Sequence, residues 1–284
     1  YFCDSGGRVV TEMSVARMAE DRFILITAAT AQWHDFDWLS AHLPKGLTLT
    51  DISAEWSCQI LTGPRAREVL APVAEADLTL PWLSHQEATI AGHPCWLVRV
   101  SYAGELGWEI HSRLADTPAI FDAVQAAGAP LGLKPFGMYA LDRLRLEKGY
   151  RAWKGDLSTD YTVLESGLGR FVKLDKPGGF LGRDALAAEA AAGPKRRFAT
   201  LVLEDCPRDA PSMAPVSRDG TVVGEVTSCG FGYRVGRLIA LAVLRADCAE
   251  PGTILSVEIH GQPVTAMVQD DAPLWDPGNA RIRA

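Results

Sequence analysis

The stretch "SYAGELGWEI", residues 101–110, sets two glycines, Gly104 and Gly107, between a tyrosine and a tryptophan and adds two carboxylates, Glu105 and Glu109. A turn that only reverses the chain needs glycine and little else. The apolar runs on either side, "HPCWLVRV" and "WEIHS", have strand composition, so the stretch reads as the tip and returning arm of a hairpin. Strand residues alternate faces, which puts Trp108 with Ile110 on one side and Glu109 with His111 on the other. Tyr102 closes the outgoing arm, and the hairpin can direct its phenol and the Glu109 carboxylate toward one spot. A carboxylate accepting two parallel N–H donors suits a 2-amino-4-oxo ring, the edge shown by guanine and by pterins. A solvated hairpin with an ordinary glutamate explains the same letters, and these residues alone leave both readings open.

Outward from the hairpin, residues 84–112 read as a β-meander, preceded by a strand "WSCQILTG" that passes through Gly63 and Pro64 into a short helix near Arg65. Residues 8–15 and 22–28 read as two strands, and apolar Trp33, Phe36, Leu39 and Leu43 have helical spacing over 32–43. Glu12 falls between Thr11 and Met13 in the first strand. If that strand is half buried, Glu12 shares a face with Val10 and needs a partner or a raised pKa, as a general base would have. A solvent-facing edge explains it equally well.

After the meander, Asp116-Thr117-Pro118 predicts a capped helix start and Gly128 a left-handed end. A second helix is predicted over 136–148, stopping at Gly149, with Arg143 and Glu147 spaced to pair on its surface for about 0.3–0.5 kcal/mol. The loop beyond carries Tyr150, Arg151, Trp153 and Lys154 in quick succession. Such a loop fits a flat anionic ligand, with rings to stack on and cations to pair with carboxylates, or it covers the core with its aromatics.

A composition shift follows Ala192. Five β-rich runs then recur without helices between them, which predicts a small all-β barrel or sandwich. The division expected is residues 1–192 and 193–284, in an α+β fold.

Composition excludes several classes. Against 28 basic side chains stand 35 acidic ones, for a formal charge of -7, and no basic run exceeds "PKRR" at 194–197, so a nucleic-acid partner is not expected. The longest purely apolar run, "LIALAVL" at 238–244, is too short to cross a bilayer. The six cysteines show no CxxC pair and no zinc-ligand spacing, which reads as buried thiols in a reducing, cytoplasmic setting with no metal site. P-loop, GxGxxG and GxSxG signatures are missing. The sequence opens on Tyr1 directly into a turn and strand, and is read as a fragment of a longer polypeptide.

Taken together, "GRVVTEMSVAR" (7–17), "GPRAREVL" (63–70), "RVSYAGELGWEI" (99–110), "LRLEKGYRAWKGDLSTDYTVLESGLGRFVKL" (144–174), "FLGRDAL" (180–186) and "VGEVTSCGFGY" (223–233) resemble the folate-binding family that includes the aminomethyltransferase, or T-protein, of the glycine cleavage system. Within it the wording is closest to the carboxy-terminal folate domain of dimethylglycine and sarcosine dehydrogenases. The resemblance implies a multi-subdomain fold with tetrahydrofolate in a central opening, where formaldehyde or an iminium from a methylated amine becomes 5,10-methylenetetrahydrofolate. It assigns Glu12 as the acidic residue near the folate amine and catalytic base, Ser14 as the nearby hydroxyl, and Tyr102 and Glu109 as the pterin holders. Arg145, Arg151 and Trp153 lie in the matched segment and are expected beside the folate tail.

The family's T-proteins usually carry aspartate where this chain has Glu12, a methylene longer, so a base there sits differently. In the dehydrogenases an upstream flavin domain, holding FAD, performs the oxidation; the resemblance implies that this domain and the opening part of the folate domain are expected outside these 284 residues. A free-standing aminomethyltransferase is the second reading. A noncatalytic folate-binding module related to iron–sulfur assembly factors is the third, weighed down by "KGYRAWKGDLS" where those factors carry a cysteine.

Overall fold

The computed structural model describes residues 1–204 and 206–284. They form two compact units, Tyr1–Asp35 with Arg145–Trp275, and Phe36–Leu144 with Asp276–Ala284.

The first unit begins with two small antiparallel pairs, β1 (Phe2–Cys3) with β2 (Val9–Thr11) and β3 (Ser14–Arg17) with β4 (Phe23–Ile26). The single strand expected over residues 8–15 is therefore two. The chain changes pairing partner at Glu12 and Met13, and Glu12 stands at the break, not within a ladder. Helix α1 (Gln32–Ala41) starts in this unit, and its residues from Phe36 onward belong to the second.

In the second unit, β5 (Trp56–Thr62), the one-turn helix α2 (Ala66–Leu70), β6 (Ala74–Glu75), β7 (His85–Ile90), β8 (His93–Val98) and β9 (Gly107–Arg113) build a five-stranded sheet of order β5-β9-β8-β7-β6. β8 and β9 pair antiparallel around residues 99–106, as the hairpin reading requires. One sheet face buries Leu61, Leu97, Trp108 and Ile110 against Val69 and Leu70 of α2 and Ile120 and Val124 of α3 (Thr117–Gly128). Arg99 lies over the Trp108 ring at 4.8 Å and donates to the Gly107 carbonyl at 3.1 Å, bracing the hairpin base.

The start of α3 is not capped by the Asp116 side chain, which instead meets His93 Nδ1 at 2.8 Å. Gly128 also departs from expectation. Its φ is −83°, within the helical region, and the left-handed turn falls at Gly132. Gly128 is small for another reason: a Cβ there would collide with Leu133.

Helix α4 (Met138–Glu147) ends at Gly149, which takes φ +67° as a left-handed stop does. Glu147 is not on the surface. It is 1% exposed, and its carboxylate accepts from the Arg234 side chain and, at 2.6 Å, from the Arg234 amide. The expected surface pair with Arg143 gives way to this buried one.

After α5 (Arg183–Ala192), the first unit closes a six-stranded barrel of order β10-β13-β12-β11-β14-β15, comprising β10 (Arg196–Leu203), β11 (Pro215–Arg218), β12 (Thr221–Gly232), β13 (Arg237–Arg245), β14 (Ile254–Ile259) and β15 (Gln262–Val268). β11, short and opened by a proline, is the strand the sequence pattern lacks. The run "LIALAVL" is continuous because β13 is buried on both sides. Leu238, Ala240, Ala242 and Leu244 fill the barrel, whereas Leu241 and Val243 pack outside it with Leu146, Tyr161 and Phe198. Among the described residues no helix is long and apolar enough to cross a membrane.

Candidate functional site

Glu109 lies on β9, on the sheet face opposite the α2/α3 core. Register places Ile60 beside it on β5 and Val98 on β8; two residues on, His111 lies between Cys58 and Trp96. Cross-strand neighbours share a face, so Cys58, Ile60, Glu109, His111, Trp96 and Trp56 form one surface. Trp56 and Trp96 stack at 4.3 Å between ring centres. His111 Nε2 meets Glu109 Oε2 at 3.0 Å and Cys58 Sγ at 3.8 Å. The histidine thus fixes one carboxylate oxygen and leaves the other to accept donors from outside. Cys58 has an exposed surface but sits on a crowded sheet, and desolvation there, reinforced by the Glu109 charge, pushes its thiol up to about 12. Tyr102, on the connection between β8 and β9, is exposed.

In the other unit Glu12 is partly buried. Burial raises its pKa, the Tyr1 amino group opposes that shift and Asp35 reinforces it. Asp35 is 1% exposed; it accepts from the Thr27 hydroxyl and meets His34 Nδ1 at 2.9 Å. Beside Glu12, the buried Thr11 hydroxyl has no hydrogen-bond partner among the described residues. Ser14 is exposed at the start of β3. This end of the unit therefore combines a carboxyl poised toward its neutral form with an unsatisfied hydroxyl.

Arg145 and Arg151 are placed differently from each other. Arg145 is 3% exposed; its guanidinium donates to Asp156 Oδ2 at 2.6 Å, Ser228 Oγ at 2.8 Å and the Tyr150 carbonyl at 3.0 Å. It ties the loop after α4 to β12. Arg151 lies over the Phe198 ring at 4.1 Å and donates to the carbonyls of Gly149 and Ser166. Burial lowers its pKa first, with Tyr1, Asp156 and Asp271 opposing. Trp153 is partly buried, 5.1 Å from Lys154 Nζ and 5.8 Å from the His34 ring. The loop does pack against the core, the plainer of its two sequence readings, while Trp153 keeps partial exposure.

Neither Cys58 nor Asp35 carries a local sequence signal for the site, and His111 carries only its place on the Glu109 face. His111 was placed on the Glu109 face by alternation, but its meeting with Cys58 depends on the β5/β9 register, which no local pattern reveals. Asp35 sits in the first turn of α1, where an acidic residue is unremarkable.

Residues 1–176 match the family description "GCVT N-terminal domain", and residues 196–276 match "Glycine cleavage T-protein C-terminal barrel domain". Human mitochondrial dimethylglycine dehydrogenase is 34% identical over 98% of the chain, which spans 33% of that protein. An aminomethyltransferase of Saccharopolyspora erythraea is 33% identical over 94% of the chain and 73% of its own length. Human mitochondrial sarcosine dehydrogenase is 35% identical over 83% of the chain and 26% of its own length. The solved glycine cleavage system aminomethyltransferase T of Bartonella henselae superposes with a TM-score of 0.85, at 23% identity, over 98% of this chain and 75% of that one, a likeness of fold. The chain spans about a third of the length of the dimethylglycine dehydrogenases it matches.

Proposed function

Because the chain belongs to the glycine cleavage T-protein family, whose two domain descriptions match its two ends, we propose that it is the tetrahydrofolate-binding, one-carbon-transfer portion of a flavin-dependent demethylase like dimethylglycine or sarcosine dehydrogenase. Its product would be 5,10-methylenetetrahydrofolate. The observation that carries this reading is Glu109: a partly exposed carboxylate on the sheet face opposite the α2/α3 core, with one oxygen held by His111.

Tetrahydrofolate supplies the ring and amine nitrogens that take up the one-carbon unit. Glu109 would accept the paired donors of the pterin edge, and Tyr102, on the preceding connection, would bound the ring. Glu12, held toward its neutral form by burial, would stand near the folate amine with Ser14, exchanging a proton there as the iminium or formaldehyde is captured. Arg151 and Trp153 would border the tail. Arg145, whose guanidinium is occupied by Asp156, Ser228 and Tyr150, would hold that loop from beneath. Holding the two reactants together is the main rate contribution expected. FAD, the methylated substrate and the oxidation would belong to an upstream domain, in a reducing compartment such as the cytoplasm. The functional division proposed is 1–192 for folate and 193–284 for the barrel.

The test is coupling. In the intact protein with its flavin domain, Glu109→Ala and Glu12→Ala should leave oxidation of the methylated amine in place but release free formaldehyde instead of methylenetetrahydrofolate. Unchanged coupling in both would overturn the proposal. The free-standing aminomethyltransferase is kept as the second reading because the Saccharopolyspora enzyme is covered over 73% of its length. Turnover of a lipoyl-carried aminomethyl group without flavin would favour it.

A further inference from the structure

The face that carries Glu109 holds more than a carboxylate. Cys58 Sγ, a Glu109 oxygen and a His111 ring nitrogen all lie within 4.8 Å of one another. The closest approaches, 3.0 Å for His111 Nε2 to Glu109 Oε2 and 3.8 Å for His111 Nε2 to Cys58 Sγ, bracket the spacing that ligands adopt around a tetrahedral ion, with bonds of about 2.0 Å to nitrogen and oxygen and about 2.3 Å to sulfur. The sheet imposes this arrangement. Cys58 and His111 are direct partners in the β5/β9 register, and Glu109 is two residues from His111 on the same face. His111 is nearly buried and fixed, Glu109 is partly open, and Cys58 is exposed, so an ion has an approach from solvent.

We infer that Cys58, Glu109 and His111 form a binding site for a borderline-soft divalent cation of the zinc type, with its fourth position open. Sulfur, imidazole nitrogen and carboxylate oxygen together suit zinc or cobalt, and exclude magnesium and calcium, which take oxygen ligands. On binding, the Cys58 thiol gives up its proton to solvent and the ion takes its place beside the Glu109 charge. Three protein ligands with an open fourth position are the arrangement of an exchangeable or reactive ion, not of a closed structural one. Where Glu109 is the pterin reader proposed above, the same ion withdraws its carboxylate, so cation and folate exclude each other. That consequence rests on the folate reading; the site itself does not.

Cobalt(II) is the probe, because a cobalt–thiolate bond has its own charge-transfer absorption. Titration of the reduced full chain, without folate, should give a saturable absorption of one cobalt per chain that zinc abolishes. Cys58→Ser should lose the band, and His111→Ala should bind more than about tenfold more weakly. Cys95→Ala, removing a buried thiol on the opposite face, should bind as the parent does. Circular dichroism melting establishes that each variant folds. A folded parent with no saturable absorption, or a band that survives in folded Cys58→Ser, overturns the inference. Separate titration with tetrahydrofolate in metal-free buffer distinguishes the failures: cobalt binding together with a folate affinity unchanged in Glu109→Ala sinks the proposed pterin reader and leaves this site standing, and folate binding lost in Glu109→Ala without saturable cobalt absorption sinks only the site.

Discussion

Replacing Asp156 by Asn tests what holds the loop after α4. Asp156 is fully buried. One carboxylate oxygen accepts from Arg145 at 2.6 Å and from the Ala152 amide at 2.8 Å, and the other accepts from the Thr227 hydroxyl. Asparagine keeps the volume but removes the charge and turns one acceptor into a donor facing donors. Arg145, 3% exposed, is then a buried cation without its counter-charge. Breaking such a pair by one partner costs about 3–5 kcal/mol, far more than the pair's net worth against apolar residues. At about 2–4 °C per kcal/mol, the transition that melts the barrel should fall by about 6–20 °C. Urea unfolding followed by circular dichroism and tryptophan fluorescence measures the change, and the double variant Arg145→Met with Asp156→Leu should recover most of it. A loss below about 1 kcal/mol in Asp156→Asn would refute the reasoning and return Arg145 to the list of ligand contacts.

Other expectations follow from the same geometry. Glu12 has a folded pKa raised by burial, so the native state binds its proton more tightly than the unfolded chain, and this contribution to stability is complete below the ordinary 4.5 and lost as pH rises through the raised value. Glu12→Gln should therefore match the parent in melting temperature at pH 4 and exceed it at pH 7; an identical difference at both pH values would contradict the burial. At pH 8 a thiol with pKa near 12 is only about one part in ten thousand thiolate, so Cys58 should be alkylated slowly despite its exposure, and faster in Glu109→Gln, as peptide mapping after iodoacetamide treatment would show. A Cβ at Gly224 would drive into the Val243 carbonyl oxygen across β12 and β13, so Gly224→Ala should cost about 1–3 kcal/mol in urea unfolding, and a neutral result would mean the strands part more easily than drawn.

Local chemistry made much of the architecture legible. The β8/β9 hairpin was readable from glycines between apolar arms, five of the barrel's strands from β-rich runs between turn residues, and the stop at Gly149 from the need for a left-handed residue after a helix. Features decided by distant partners were not readable. Glu147 looks like a surface helix residue until Arg234 arrives from 87 positions away. Asp116 looks like a cap until His93 takes it, and Gly128 looks like a helix stop until Leu133 claims its space. The same division runs through the candidate site. Strand alternation put Glu109 and His111 on one face, but only the register of β5 brings Cys58 to them, and only packing hides Arg145 beneath the loop it had been expected to decorate.

The central claim is that the Glu109 face reads a pterin. Anaerobic calorimetric titration of the full chain with tetrahydrofolate, in metal-free buffer, tests it most directly when run beside Glu109→Ala. Saturable binding by the parent, abolished in a folded Glu109→Ala variant, is the result predicted. Equal affinity in the two proteins would contradict the claim.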